Sequence, residues 1–260
     1  MNFRSDNEAG AHPAIIEAVS QAPDLKLAAA LEQSGNSQIG KAAAEGSDIR
    51  ISGDIDEALR AADVIVDFTR PDGTLRHVAA CLASRRQLVI GTTGFSEAQL
   101  TTIREASKSI AIAMAPNFAI GVNVTFQLIE LAARALKDEY QVEIVEVHHR
   151  HKVDAPSGTA LRMGEVVARA LGRDLRKTAI YGREGVTGER SNESIGFSAI
   201  RGGDVVGDHT VMFLGAGERI EITHRSASRA TYAQGALQAA RFLRGKANGL
   251  YDMQDVLGFR

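Results

Sequence analysis

The sequence predicts an α/β protein in which a doubly wound parallel sheet is joined to a second, α+β domain with a mixed sheet. Three observations carry this. Residues 1–115 alternate short, continuously apolar runs with amphipathic segments, the signature of β–α units whose strands are covered on both faces. After residue 119 a long helical stretch leads into runs that alternate apolar and polar residues. The length, 260 residues, suits one large domain or two modest ones with a substantial core.

Taken in order, Pro13 suits a first helical position, Ile15, Ile16 and Val19 make an apolar stripe, and Pro23 ends that helix. Residues 25–31 (LKLAAAL), 63–68 (DVIVDF), 87–90 (QLVI) and 110–114 (IAIAM) read as buried strands. Between them Asp54 caps DEALRAA, PDGTLRHVAACLASR forms a helix, and Ser96 with Gln99 makes a capping box ahead of Leu100 and Ile103. A helix over 121–136 then precedes QVEIVEVHHRH, a second helix over 159–171 and a glycine-rich polar stretch, 181–194. The runs SIGFSAIR, VVGDHTVMFLG and RIEITHR read as antiparallel strands with one wet face. A last helix over 232–243 packs back on the first domain, so the expected division is 1–119 with 229–260, and 120–228.

Composition narrows the function. Lys+Arg 30 against Asp+Glu 32 leaves a net charge of −2, too little field to draw in nucleic acid or an anionic membrane. One cysteine, Cys81, excludes a disulfide framework and a thiolate metal cluster and fits a reducing compartment. No apolar run approaches a membrane span, and the polar start has no signal-peptide core, so a soluble cytoplasmic protein is expected. Glycine is in surplus, 25 residues where average usage predicts about 18.

In an open parallel sheet, ligands bind beyond the carboxyl ends of the strands. Here those ends carry Glu32, Phe68-Thr69-Arg70, Gly91-Thr92-Thr93-Gly94 and Ala115-Pro116-Asn117-Phe118. GTTG offers close backbone approach and hydroxyls for phosphate or ribose, Asn117 suits a carboxamide, and an acid such as Glu32 accepts from an adenosine ribose. Together they favour a Rossmann-like dinucleotide crevice over a set of plain turns and caps. Its usual glycine-rich first loop is unrecognisable: Gly10 is the only glycine before Gly35, and Asp6 and Glu8 stand where phosphates would lie.

Three of the seven histidines, His148, His149 and His151, fall in HHRHKVDAPSGTA with Arg150 and Lys152. Crowded cations repel unless an anion neutralises them. His148 and Lys152, four apart, are expected on one face, and a lysine among cations gives up its proton more readily. PSGT opens a helix whose free N–H groups, with the Thr159 hydroxyl, suit a carboxylate. A solvated turn and a metal site are the competing readings. Arg150 and Lys152, and the lack of a nearby acid pair, weigh against metal. An anion-binding proton-transfer site is favoured.

With these motifs in place, the segments VIVDFTRPDGT, LVIGTTGF, APNFAIGVNV, VEVHHRHKVDAPSGTAL, REGVTGER, SIGFSAIRGGDVVGDHTVMF, GERIEITH and GLYDMQDVLG resemble, in order, those of the 4-hydroxy-tetrahydrodipicolinate reductase (dihydrodipicolinate reductase) family of lysine and diaminopimelate biosynthesis. The resemblance runs from about residue 13 to the C-terminus. It implies a dinucleotide domain followed by a substrate- and tetramer-forming domain. It implies His148 as acid/base residue, Lys152 as proton donor, and His149, Gly158 and Thr159 as contacts to substrate carboxylates. Gly91, Thr92, Thr93, Ala115, Pro116, Asn117 and Phe118 then correspond to cofactor contacts, and Glu32 to the ribose acid. The implied reaction is hydride delivery from NADH or NADPH to a cyclic unsaturated dicarboxylate, with loss of water, in a cytoplasmic homotetramer without a metal.

Two departures bear on this. The abrupt onset near Pro13 points to a reading-frame change, a wrong start or a diverged N-terminus. Gln33 follows Glu32 where many members place a basic residue for a 2′-phosphate, which favours NADH. The alternatives carried forward are an impaired relative that binds the dicarboxylate but holds NAD(P)H poorly, and a metal-dependent hydrolase using the histidines.

Overall fold

The computed structural model describes residues 13–228 and 230–260. The expectations that concern Asp6, Glu8 and Gly10 lie outside the described residues. Two compact units emerge, one of residues 13–120 with 230–260 and one of residues 121–228.

The first unit begins with α1 (Pro13–Ser20) and a two-residue parallel ladder of β1 (Ala30–Leu31) and β2 (Ile51–Ser52). It continues through α2 (Ile55–Ala61), β3 (Val64–Asp67), α3 (Pro71–Ser84), β4 (Gln87–Ile90), α4 (Glu97–Ser107) and β5 (Ala111–Met114). Asp54 caps α2, and the Ser96/Gln99 capping box opens α4. The strands were expected to be covered on both faces, and the alternation along each shows how. Leu88, Ile90, Ile65 and Ile112 point into one core with Leu59, Val78, Cys81 and Ile103. Val89, Ala111, Ala113, Val64 and Val66 point into the opposite core with Ala236, Ala239 and Leu243.

The second core is closed by the end of the chain. Here α8 (Ala230–Leu243) lies against β3, β4 and β5, and α9 (Met253–Val256) supplies Met253 and Val256. A short strand, β11 (Gly249–Tyr251), pairs parallel with β5 and completes the order β11-β5-β4-β3. Only Ala30–Leu31 of the expected 25–31 strand is laddered. Leu25 packs instead against the cluster that joins α1 to α8.

The second unit contains α5 (Ile120–Leu136, its first residue excepted), β6 (Gln141–His148), α6 (Gly158–Ala170), α7 (Leu175–Thr178), β7 (Ala179–Tyr181), β8 (Ile195–Arg201), β9 (Gly207–Leu214) and β10 (Arg219–Ser226). Its sheet has the order β10-β9-β6-β8-β7. The expectation of three antiparallel strands is corrected for β8, which runs parallel to both β6 and β7, while β9 is antiparallel to β6 and β10. Helix α6 lies so close over β8 that a Cβ on Gly164 would fall 2.5 Å from Phe197 Cζ.

Along β6 one face changes character. Val142 and Ile144 sit beside Ile195, Phe197, Val211 and Phe213 in an apolar layer. The next inward positions are Glu146, opposite His209, and His148, opposite Arg201. The apolar end anchors the strand, and the polar end gathers its buried ionisable side chains. Among the described residues no helix is long and apolar enough to cross a membrane.

Helix α8 meets the β5–α5 connection at its closest point through Gly235, where an added Cβ would stand 1.7 Å from the Phe118 carbonyl oxygen. Backbone cannot withdraw as a flexible side chain does. Gly235→Ala is therefore expected to cost about 2 kcal/mol or more and to lower Tm by about 5 °C. An unchanged thermal unfolding curve would contradict this packing.

Candidate active site

A buried polar constellation in the second unit centres on Glu146 and His148, with 1% and 0% exposure. An isolated buried carboxylate is costly, and Glu146 avoids that cost by accepting from four donors. Its Oε2 takes the His148 Nδ1–H at 2.6 Å and Arg201 Nη1 at 2.7 Å. Its Oε1 takes Arg201 Nη2 at 2.7 Å and the Ser157 backbone N–H at 3.0 Å. Burial alone would raise the Glu146 carboxyl, but the bonds from His148 and Arg201 outweigh it and hold the group at about 2. Arg201 also donates to the Asp154 carbonyl at 2.7 Å, tying the loop after β6 to β8.

His148 stands edge-on to His209, with ring centroids 5.1 Å apart. His209 Nε2 lies 2.8 Å from the Ser157 hydroxyl, which also accepts from Ala160 N–H as the N-cap of α6. Burial, then the neighbouring His148, push His209 down to about 3. His148 Nε2 is buried without a hydrogen-bond partner among the described residues. A Cβ on Gly207 would come within 2.9 Å of it.

The rest of the HHRHK motif departs from the period expected of it. After His148 the chain leaves the ladder and turns, with Lys152 N–H donating to the His149 carbonyl, so neither an extended nor a helical period relates His148 to Lys152. Nor is Lys152 left among cations. Its ammonium, with 6% side-chain exposure, sits 2.7 and 2.8 Å from the two Asp154 oxygens. His149 is half-buried and held through its backbone N–H to the Val205 carbonyl. Gly158 and Thr159 are the first two residues of α6, where helical N–H groups have no partner within the helix. Glu146, Arg201, Ser157, His209 and Asp154 were not singled out in the sequence. Among the described residues, no group of three or more His, Cys, Asp or Glu side chains could hold a metal ion.

In the first unit, β3, β4 and β5 are adjacent and parallel, so Gly91–Thr93 and the segment from Ala115 to Phe118 leave the same sheet edge. A side chain at Gly91 would displace the Phe68 ring, since its Cβ would lie 2.1 Å from Phe68 Cε1. Several of the expected cofactor contacts also serve the fold. Phe118 is buried in the core with its ring edge-on to Phe68, Ala115 is buried beside it, and the Thr92 hydroxyl accepts from Thr74 at 2.8 Å. Asn117 Oδ1 accepts from the Ala119 N–H. Thr93 and Pro116 retain exposed surface. Glu32 lies off the four-stranded sheet, just past β1; its Oε1 accepts from Gln33 N–H, while its Oε2 is buried with no hydrogen-bond partner among the described residues.

The model of the dihydrodipicolinate reductase N-terminus matches residues 13–118, and that of the dihydrodipicolinate reductase C-terminus matches residues 121–257. The chain belongs to the dihydrodipicolinate reductase family. Among relatives in this family, the 4-hydroxy-tetrahydrodipicolinate reductase of Nitrosospira multiformis is 61% identical over 251 residues, covering 95% of this chain and 93% of that protein. The enzyme of the same name from Paraburkholderia phymatum is 59% identical over 250 residues, covering 95% and 94%. The fold is similar to that of a dipicolinate-bound dihydrodipicolinate reductase from Paenisporosarcina sp. TG-14, with a TM-score of 0.75, 23% identity and 93% of each chain covered.

Buried His209 gives this reductase-family site a pH signature. The ring is neutral in the folded chain down to about 3, while an unfolded histidine protonates near 6.5. Between these values the unfolded state binds the extra proton, so stability is lost as pH falls from about 6.5. The Glu146 carboxyl, held at about 2 against an ordinary 4.5, adds a further loss below about 4.5. Urea unfolding from pH 7 to 5 is expected to show declining stability in the wild type and a flatter dependence in His209→Gln. The same slope in both proteins would contradict the assignment.

Proposed function

We propose that this chain reduces 4-hydroxy-tetrahydrodipicolinate to tetrahydrodipicolinate with a nicotinamide dinucleotide. The observation that carries the reading is the pairing of a carboxylate-bound imidazole, His148, with the first amides of α6 in one unit of a chain whose 61% identical relative bears that enzyme's name. Helix N-terminal N–H groups suit an anionic carboxylate. Gly158, Thr159 and His149 are assigned to bind the substrate's carboxylates. His148 and Lys152 are assigned the proton that the substrate takes up to complete the reduction. Lys152, bound to Asp154, meets the substrate as an ammonium and so donates as well as neutralises charge.

The polar groups present also fit a dinucleotide. The buried, unpartnered Glu32 Oε2 suits a ribose hydroxyl, and the Gly91–Thr93 turn allows close backbone approach. A bound nicotinamide supplies a hydride. Thr93, Pro116, Asn117 and the backbone around them are assigned to hold it. Exposed Gln33 offers no cation to a 2′-phosphate, which favours NADH over NADPH. A homotetramer is in keeping with half-exposed Val145, Val147, Met212 and Leu214 on the outer face of the mixed sheet. The lone, buried Cys81 is in keeping with a cytoplasmic home.

Purified protein is expected to oxidise NADH only when the freshly generated dicarboxylate is present. Lys152→Ala and His148→Gln are expected to lower kcat about 100-fold or more with the Kd for NADH unchanged. Absence of turnover by folded wild-type protein would overturn the activity, and loss of NADH binding in either variant would overturn the division of roles. Titration with NADH also separates this reading from a relative that holds the cofactor poorly. For cofactor choice, Gln33→Arg is expected to raise the ratio of kcat/KM for NADPH to that for NADH; an unchanged ratio would remove Gln33 from the selection.

A further inference from the structure

The Glu146 carboxylate touches both halves of the proposed substrate site. Its Oε2 holds the His148 ring, and its Oε1 holds the Ser157 N–H, one residue before the Gly158 and Thr159 amides. All four of its partners are donors, two to each oxygen. A group that only accepts satisfies this set, because a carboxylate has no proton to give.

For the imidazole the consequence is a choice of tautomer. With Nδ1–H committed to Glu146, a neutral ring carries its lone pair on Nε2, the nitrogen with no protein partner. His209 stands against the ring edge-on and is itself occupied with Ser157. The charged neighbours that face the ring are Glu146 on its own strand and Arg201 on β8, which cancel; His209 on β9 is neutral down to about 3. Gly207 leaves open the space that a side chain would fill next to Nε2.

We propose that Glu146 is a positioning residue: it fixes His148 as the Nδ1–H tautomer, making Nε2 the proton-exchanging nitrogen, and through Ser157 it sets the α6 amides in register with that nitrogen. The inference rests on the reading of His148 and the α6 N-terminus given under Proposed function. Glutamine cannot take over the role. Its amide N–H₂ would face an Arg201 N–H in either orientation, and would also face either Ser157 N–H or His148 Nδ1. In the second case the ring must accept at Nδ1 and carry its proton on Nε2.

The test combines kinetics with ¹⁵N spectra of the histidine rings in wild-type protein, Glu146→Gln, His148→Gln and the double variant. Glu146→Gln is expected to lower kcat about 100-fold while NADH affinity holds. In the His148→Gln background the same change is expected to cost less than about threefold in kcat, because the ring it orients is already gone, while the loosened Ser157 N–H still shows as a raised KM for the dicarboxylate. Wild-type His148 is expected to show the Nδ1–H tautomer, and the variant a shift toward Nε2–H. The inference is overturned if Glu146→Gln keeps kcat within about threefold of wild type, if the two losses multiply, or if wild-type His148 carries its neutral-ring proton on Nε2. The wild-type spectrum decides even if a variant fails to fold. Wild-type protein that shows the expected tautomer but no dicarboxylate-dependent turnover refutes the activity and leaves the positioning geometry standing.

Discussion

The second unit depends on the satisfaction of one buried charge. Glu146 lies on the inward face of a strand whose preceding inward residues, Val142 and Ile144, are fully apolar. Placing a carboxylate at the next position on that face is tolerable only because Arg201 cancels its charge, His148 and Ser157 complete its hydrogen bonds, and each partner comes from a different stretch of chain. The parallel pairing of β8 with β6 brings Arg201 opposite His148, and the antiparallel pairing of β9 brings His209 opposite Glu146. Strand direction in this mixed sheet is thereby linked to site chemistry.

The first unit meets a related problem at the end of β3. Asp67, 1% exposed, accepts from the Thr69 N–H at 2.8 Å and lies 3.1 Å from His77 Nδ1 on α3. Burial pushes its carboxyl up, yet His77 and the Thr69 bonds more than offset that and hold it below the ordinary range. Burial, and after it the same Asp67 charge, pushes the Cys81 thiol up to about 12, so that sulfur is an inert core group. Close approach by glycine complements this. Gly91 admits the Phe68 ring and Gly235 admits the Phe118 carbonyl, so these two glycines serve the packing around the strand ends.

Much of this was legible in the sequence, and the residues that were not share a cause. Apolar runs and caps located β3, β4, β5, α2 and α4 because short buried strands and capping boxes are local signals. The strands β7 and β11, three residues each, are held by pairing with β8 and β5 and carry too little periodicity to stand out. Direction escaped for β8 because alternation does not encode whether a neighbour runs parallel or antiparallel. Glu146 escaped because both faces of QVEIVEVH carry apolar residues and at least one acid, so period two alone does not say which faces inward. The core role of Phe118, whose ring packs beneath the strand-end loop, is not visible in a motif that marks only where the strand stops.

Family membership rests on matches along nearly the whole described chain, while the proposed chemistry rests on how one carboxylate organises an imidazole and a helix N-terminus. The most direct measurement is a crystal structure of the protein with dipicolinate, a planar dicarboxylate that cannot be turned over as substrate. One carboxylate of the ligand is expected on the Gly158 and Thr159 amides, with His148 Nε2 facing the ligand and Glu146 still bonded to His148 Nδ1 and Ser157 N–H. Dipicolinate bound away from α6, or a His148 ring turned so that Nδ1 leaves Glu146, would contradict it.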